Sequence, residues 1–173
     1  MTTTGPAINV FISYAHKDEA LLHDLKTHMS ALERQGLIAA WHDRVIVAGS
    51  EWAGEIDARL EQASIILLLV SADFLASDYC SEVEMKRALV RHEAGQARVL
   101  PIVVRTVYWK DAPFARLQIM PTDAKPITTW PDRDEAWTAV VIGIRQAIAD
   151  LSLLPESAAR RHGDEPEQSG IAV

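Results

Sequence analysis

The chain has 173 residues, a hydrophobic fraction of 49% and a formal net charge of −7. This length allows one domain with a full core, and the composition is typical of a globular protein rather than a disordered one. The acidic balance, with no cluster of Lys or Arg, argues against a nucleic-acid surface, which needs cations to displace counterions from phosphates. A single cysteine cannot form an internal disulfide, which favours a reducing compartment.

The chain begins without the features of a signal peptide, because residues 1–7 have no basic start and no long apolar run. The longest apolar run, residues 65–70, is far too short to span a bilayer, which takes about 20 residues. We therefore expect a cytoplasmic protein with no membrane contact and a flexible N-terminus over residues 1–7.

Short apolar runs alternate with helical patterns along the chain. The runs predict strands at residues 8–13, 37–41, 64–70, 97–104 and 125–130. Between and after them, apolar residues at helical spacing predict helices at about 18–36, 52–62, 77–93 and 134–151. We expect Asp18 to cap the first helix and Gly36 to end it. The polar residues 153–173 lack periodicity and are expected to form a disordered tail or a linker, so the domain is assigned to residues 8–152.

The alternation of strands and helices predicts an α/β fold with a parallel sheet covered on both faces. Such sheets carry their sites at the carboxyl ends of the strands, where the strand order reverses. The site is therefore expected at residues 13–16, in the loop 43–51, and from Ser71 to the start of the third predicted helix.

Two glutamates, Glu82 and Glu84, lie in that third helix. They diverge by about 200° on a helix, so they cannot face one pocket as a pair of glycosidase carboxylates would. Glu82 has Lys86 four residues on, which favours a solvent-exposed ion pair. Glu84 has the small residues Cys80 and Ala88 four positions before and after it, one helical turn away on each side, and is the better candidate for a pocket. Acidic residues also favour the first turn of a helix for stability alone, which is the ordinary alternative. The residues predicted to mark the buried face of this helix are Tyr79, Val83 and Val90.

Four segments together resemble bacterial TIR (Toll/interleukin-1 receptor) domains. They are VFISYAHKDE, WHDRVIVAGSEWAGEIDARLEQASIILLLVSADFLASDYCSEVEMKRAL, PIVVRTVYW and KPITTWPDRDEAW, and the resemblance covers residues 8–151. It implies a flavodoxin-like TIR fold, a five-stranded parallel sheet with helices on both faces. Many bacterial TIR domains cleave NAD⁺ between nicotinamide and ribose, giving ADP-ribose or a cyclic ADP-ribose isomer. The resemblance therefore implies NAD⁺ as substrate rather than as a resident cofactor.

The resemblance also implies a catalytic glutamate in the third helix, shortly after an aromatic residue. Glu84 matches best, with Tyr79 as the aromatic and the apolar Met85 following. The family often places the glutamate four residues after a tryptophan, and here that position holds Val83, so Glu82 stays as the alternative register. A carboxylate beside the ribose would stabilise the oxocarbenium-like charge that develops there.

Further positions are implied to bind substrate: Ser13, Tyr14, Asp43, Arg44, Trp52, Tyr79 and Cys80. Arg44 suits a bidentate contact to the pyrophosphate, and Trp52 could stack on a base. A solvated loop arginine and a core tryptophan are the ordinary alternatives. The cysteine and the six histidines show no metal-ligand spacing, so no metal site is predicted.

Two classes of function remain in view. The first is an NAD⁺ glycohydrolase, a bacterial immune effector that self-assembles with other TIR domains in response to a sensor protein or a fused sensor domain. The second is a non-enzymatic TIR module that passes a signal by contact. A response-regulator receiver needs an acidic pair after the first strand and a phosphorylatable aspartate at the end of the third, and SYAHKD and VSAD do not fit that pattern. A nucleoside deoxyribosyltransferase is disfavoured by the TIR-like loop that opens at Asp43.

Overall fold

The structure is a computed structural model that describes residues 6–42, 59–76 and 85–152. Its strands are β1 (Ile8–Ser13), β2 (Ile38–His42), β3 (Ile65–Val70) and β4 (Arg98–Val103). Its helices are α1 (Glu19–Arg34), α2 (Ala72–Ala76), α3 (Met85–Glu93) and α4 (Arg133–Ser152), and residues 59–62 are also helical. Each of these strands lies within one residue of its predicted bounds.

The strands form a parallel sheet in the order β2-β1-β3-β4. All six residues of β3 are buried, and β3 pairs with both β1 and β4. A strand that is apolar throughout has to be covered on both faces, and β3 accordingly lies inside the sheet. The chain order reverses between β1 and β3, which makes that position the switch point of the sheet.

Side chains alternate between the two faces of the sheet and build two cores. Val10 and Leu67 face a cluster that contains the buried residues of α1 and α4. Phe11 and Leu68 face a second cluster that contains the buried residues of α3. Helices therefore cover both faces of the sheet, as the alternation of elements predicts.

Helix α1 follows its predicted pattern. Its buried residues are Leu21, Leu22, Leu25, Met29 and Leu32. Gly36 follows the helix with a φ of +72°, a conformation that glycine adopts without a steric cost. The N–H of Leu37 then donates to the carbonyl of Leu32 at 3.0 Å, which satisfies one of the last helical carbonyls.

The predicted fifth strand at residues 125–130 is wrong. The segment instead contains a 3₁₀ turn, Ile127–Thr129, and the N–H of Thr129 donates to the carbonyl of Pro126 at 2.9 Å. These local bonds compete with the ladder bonds of a strand. The described residues therefore form a four-stranded sheet rather than the five-stranded sheet expected.

A single residue, Met120, pairs with the free side of β4 instead. Its N–H donates to Pro101 at 2.8 Å and its carbonyl accepts from Val103 at 2.9 Å, which makes an isolated parallel bridge. Pro121 follows and has no N–H, and the 3₁₀ turn Thr122–Ala124 then bends the chain away. The pairing therefore stops after one residue.

The predicted burial of Val90 is also wrong, because its side chain is 66% exposed. The buried face of α3 contains Met85, Ala88 and Leu89 instead. Val90 lies about 100° around the helix from Leu89, outside that stripe. The other two predicted markers of this face, Tyr79 and Val83, lie outside the described residues.

Candidate functional site

Polar residues gather at the carboxyl edge of the sheet. Ser71 directly follows β3, Arg105 lies two residues after β4, and Asp18 lies between β1 and α1. Since the ends of parallel neighbours meet at one edge, these three segments come together there. We name the group of Asp18, Ser71, Asp73 and Arg105 the carboxyl-edge cluster.

Hydrogen bonds connect the members of the cluster. The Nε–H of Arg105 donates to Oδ1 of Asp18 at 2.7 Å, and the hydroxyl of Ser71 donates to Oδ2 of the same carboxylate. Arg105 also donates through Nη2 to Asp73. The N–H of Phe74 donates to Oγ of Ser71 at 3.1 Å, which fixes the serine at the start of α2. One arginine thereby ties together the chain segments that follow three strands.

Opposite charges in this cluster stabilise the ionised form of each partner. The hydrogen bond from Arg105 holds the pKa of Asp73 below its usual value, and Lys17, whose Nζ lies 3.5 Å from Oδ1 of Asp73, acts in the same direction. Hydrogen bonds to Asp18 and Asp73 raise the pKa of Arg105. The side chain of Asp18 is 0% exposed, so its carboxylate depends on these partners for charge compensation.

Asp18 precedes α1 as predicted, but it does not have the predicted role. It occupies the N-cap position and makes no side-chain capping hydrogen bond. Both carboxylate oxygens are engaged by Ser71 and Arg105 instead. The half-buried Arg105 takes the place of the helix amides, because a charge-assisted hydrogen bond to the buried carboxylate is stronger than an ordinary cap.

Two of the predicted substrate-binding residues lie at the end of β1. Ser13 and Tyr14 are both buried, and Tyr14 belongs to the core cluster between the sheet and α1. The Tyr14 ring meets the ring of His42 edge-on, with centroids 6.0 Å apart. The remaining predicted residues lie outside the part of the chain that the structure describes: Glu84, its alternative Glu82, Asp43, Arg44, Trp52, Tyr79 and Cys80.

Sequence reasoning missed Arg105, and it included Asp73 in the expected segment after Ser71 without giving it a role. A usable signal was present, because each is a charged residue within three positions after the buried end of a strand. Charged residues at that position lie at the edge where parallel sheets carry their sites. Among the described residues, no three His, Cys, Asp or Glu side chains come close enough together to hold a metal ion.

Arg91 anchors α3, the helix whose first described residue follows Glu84. Its Nη1 donates to the carbonyls of Leu60 and Ala63, the latter at 2.6 Å, at the end of the helical residues 59–62. Its Nη2 donates to the carbonyl of Gln96 at 3.3 Å. The side chain of Arg91 is buried, and this burial lowers the pKa of its guanidinium. We name this group the Arg91 clamp.

No helix within the described ranges combines the length and the apolar character that crossing a membrane requires.

The sequence of this chain is similar to known sequences over most of its length. A family model described as TIR domain matches residues 10–139. The uncharacterized protein y4lF of Sinorhizobium fredii (strain NBRC 101917 / NGR234) is 51% identical over 144 residues, which are 83% of this chain and 45% of that protein. The chain thus spans less than half the length of this curated relative.

Solved structures show the same fold. The TIR domain of the Toll-related receptor TRR-2 from Hydra magnipapillata is 22% identical with a TM-score of 0.53, covering 79% of this chain and 97% of that chain. The RPS4 and RRS1 TIR domain heterodimer is 13% identical with a TM-score of 0.53, covering 81% of this chain and 97% of that chain. At these identities the likeness concerns the fold.

Proposed function

Since the chain belongs to the TIR domain family, we propose that it is an NAD⁺ glycohydrolase with Glu84 as its catalytic carboxylate. The family has both NAD⁺-cleaving and signalling roles. The observation that carries the proposal is the extent of the family match, residues 10–139, which includes both the carboxyl edge of the sheet and Glu84. Support comes from the strand order, because parallel sheets bind ligands at the carboxyl edge near the switch point.

The proposed reaction breaks the bond between the ribose C1′ and the nicotinamide nitrogen. The bonding electrons go to the ring, so nicotinamide leaves neutral and needs no general acid. Positive charge develops on the ribose, and the Glu84 carboxylate stabilises it. Water then attacks C1′ and loses a proton to solvent, which gives ADP-ribose. Attack by the adenine of the same molecule gives a cyclic isomer instead.

The other proposed contacts are also made to NAD⁺. We assign Ser13, Tyr14, Asp43, Arg44, Trp52, Tyr79 and Cys80 to its binding, with Arg44 on the pyrophosphate. The carboxyl-edge cluster supports this arrangement because it fixes the segments after β1, β3 and β4 against one another. A site needs such rigid support to hold a substrate in a productive geometry.

We further propose that activity requires assembly with other TIR domains, triggered by a sensor protein or a fused sensor domain, in a bacterial immune response. A TIR–TIR pair exists in the RPS4 and RRS1 heterodimer, which supports contact between TIR domains as a mode of assembly. In the cytoplasm NAD⁺ is abundant, so such an enzyme has to be silent until it assembles.

The test compares wild type with Glu84→Gln and Glu82→Gln. NAD⁺ loss and product identity are measured by chromatography at high protein concentration with a crowding agent. We expect wild type and Glu82→Gln to turn over NAD⁺ and Glu84→Gln to lose at least about a hundredfold in rate. If the wild type and both variants are inactive although light scattering shows assembled chains, the protein is a signalling module that acts by contact. Loss in Glu82→Gln alone would move the catalytic position to Glu82.

A further inference from the structure

A cavity of about 450 Å³ lies at the free side of β4, away from the carboxyl edge. It is bounded by the amino-terminal half of β4, the end of α3 and the second half of α4. Its apolar lining includes Val99, Met120 and Ala147. This volume is in the range of small-molecule pockets, about 300–1,000 Å³.

Two guanidinium groups line the cavity. Arg98 donates through Nη1 to Oδ2 of Asp150 at 2.7 Å, and Arg116 donates through Nη2 to Glu93. In the described contacts, each ion pair uses one terminal nitrogen, so further N–H donors remain on both guanidiniums. The ionised groups that line the cavity are Arg98, Arg116 and Asp150, whereas Glu93, the partner of Arg116, does not line it.

His92 adds a third donor to the wall. Its Nδ1 accepts a hydrogen bond from the N–H of Val99 at 3.0 Å. Burial, and then the charges of Arg98 and Arg116, lower the pKa of His92, which favours the neutral ring that an accepting Nδ1 requires. A neutral ring that accepts through Nδ1 carries its proton on Nε2, which makes Nε2–H a donor.

We propose that this cavity binds a small organic phosphate, with Arg98, Arg116 and the Nε2–H of His92 as its phosphate donors. A phosphate monoester carries about −1.5 to −2 charges, which suits two guanidiniums. The planar fork of each guanidinium matches phosphate oxygens, and exposed ion pairs such as that of Arg116 with Glu93 are weak enough to be shared. The apolar wall receives the organic part. This site is separate from the proposed glycohydrolase site and does not depend on it.

The test is a calorimetric titration of ribose 5-phosphate into the full chain, with ribose as the uncharged probe. We expect saturable binding of ribose 5-phosphate and none of ribose. Arg116→Gln should weaken binding by about tenfold or more, because it removes charge-assisted hydrogen bonds. Glu93→Gln should tighten binding, because it removes the carboxylate that competes for Arg116.

The matched control is Arg145→Gln, which removes the same charge from an exposed position of α4 that does not line the cavity. Its affinity should equal that of wild type, and Glu84→Gln should also bind normally, which separates this site from the proposed NAD⁺ site. Absence of saturable binding by wild type, equal weakening in Arg145→Gln and Arg116→Gln, or loss of binding in Glu84→Gln would each overturn the proposal. Thermal melting of each variant verifies its fold.

Discussion

The carboxylate of Asp18 is buried at the carboxyl edge of the sheet, and its balancing charge comes from Arg105, 87 residues later in the chain. Such a pair contributes little net stability when intact, because desolvation offsets the attraction. Its loss is costly when one partner alone is removed, because a buried charge is left uncompensated. The sequence places Asp18 before a helix and so predicts a cap, whereas the role of its charge depends on a residue that only the fold brings near.

Arg105→Gln should lower the free energy of unfolding by about 3 kcal/mol, because Asp18 stays buried without its cation. The double variant Asp18→Asn/Arg105→Gln should be more stable than Arg105→Gln alone, since it removes the uncompensated charge. Urea unfolding of the wild type, both single variants and the double variant measures this coupling. Simple additivity of the two single effects would contradict the assignment of a buried ion pair.

The titration of His92 makes the free energy of unfolding depend on pH. Its folded pKa lies below the ordinary value of 6.5, with burial as the main cause. Below about pH 6.5 the unfolded chain therefore binds more protons than the folded chain, and stability falls as the pH falls toward the folded pKa. Protonation also removes the acceptor on Nδ1 that holds the N–H of Val99.

We expect His92→Gln to lose less stability than wild type between about pH 7.5 and about pH 5.5. Glutamine keeps an acceptor for Val99 but does not titrate. His23→Gln, at an exposed position of α1, is the matched control and should keep the slope of wild type. Unfolding free energies from urea titrations at both pH values check the result, and equal slopes for His92→Gln and wild type would rule out His92 as the source.

At the scale of elements, the local pattern predicts all four strands of the described sheet, and it also predicts a fifth strand that does not form. The strand β3 is apolar throughout and is identified from six residues alone. The predicted fifth strand is less apolar but contains the β-branched residues Ile127, Thr128 and Thr129, and Pro126 and the turn Ile127–Thr129 satisfy its backbone locally. An edge strand needs bonds from one side only, so a local turn replaces it at small cost.

The Arg91 clamp connects α3 to the end of the helical residues 59–62. Arg91→Met should lower the free energy of unfolding by about 2–4 kcal/mol, because the carbonyl of Ala63 loses its guanidinium donor and that of Leu60 keeps only the N–H of Ala63. Arg87 offers a matched control on the same helix, since its side chain is exposed and its Nε lies 3.7 Å from Oε1 of Glu61. Arg87→Met should cost less than about 1 kcal/mol. Urea unfolding distinguishes the two, and similar losses would show that Arg91 acts only through surface charge.

At the scale of the whole molecule, the fold is more predictable than the site. The pattern of apolar residues is a local property of the sequence, and it identifies four strands and the long helices α1 and α4. The site combines residues from several loops. The catalytic role of Glu84 is proposed from family resemblance and not from its contacts. The position of Arg105 and Asp73 after two strands is visible in the sequence, but their pairing is not, because the partners are distant in sequence and no local pattern encodes it.

The proposed need for assembly gives a prediction for the whole molecule. If neighbouring TIR domains complete the site, the NAD⁺ turnover per chain should rise with protein concentration, since the assembled fraction rises by mass action. Chromatographic rates and light scattering measured over the same concentration series should rise together, and a crowding agent should shift both to lower concentration. Glu84→Gln should assemble like wild type and stay inactive, which separates assembly from chemistry. A turnover per chain that stays constant while the protein is monomeric would show that a single domain holds a complete site.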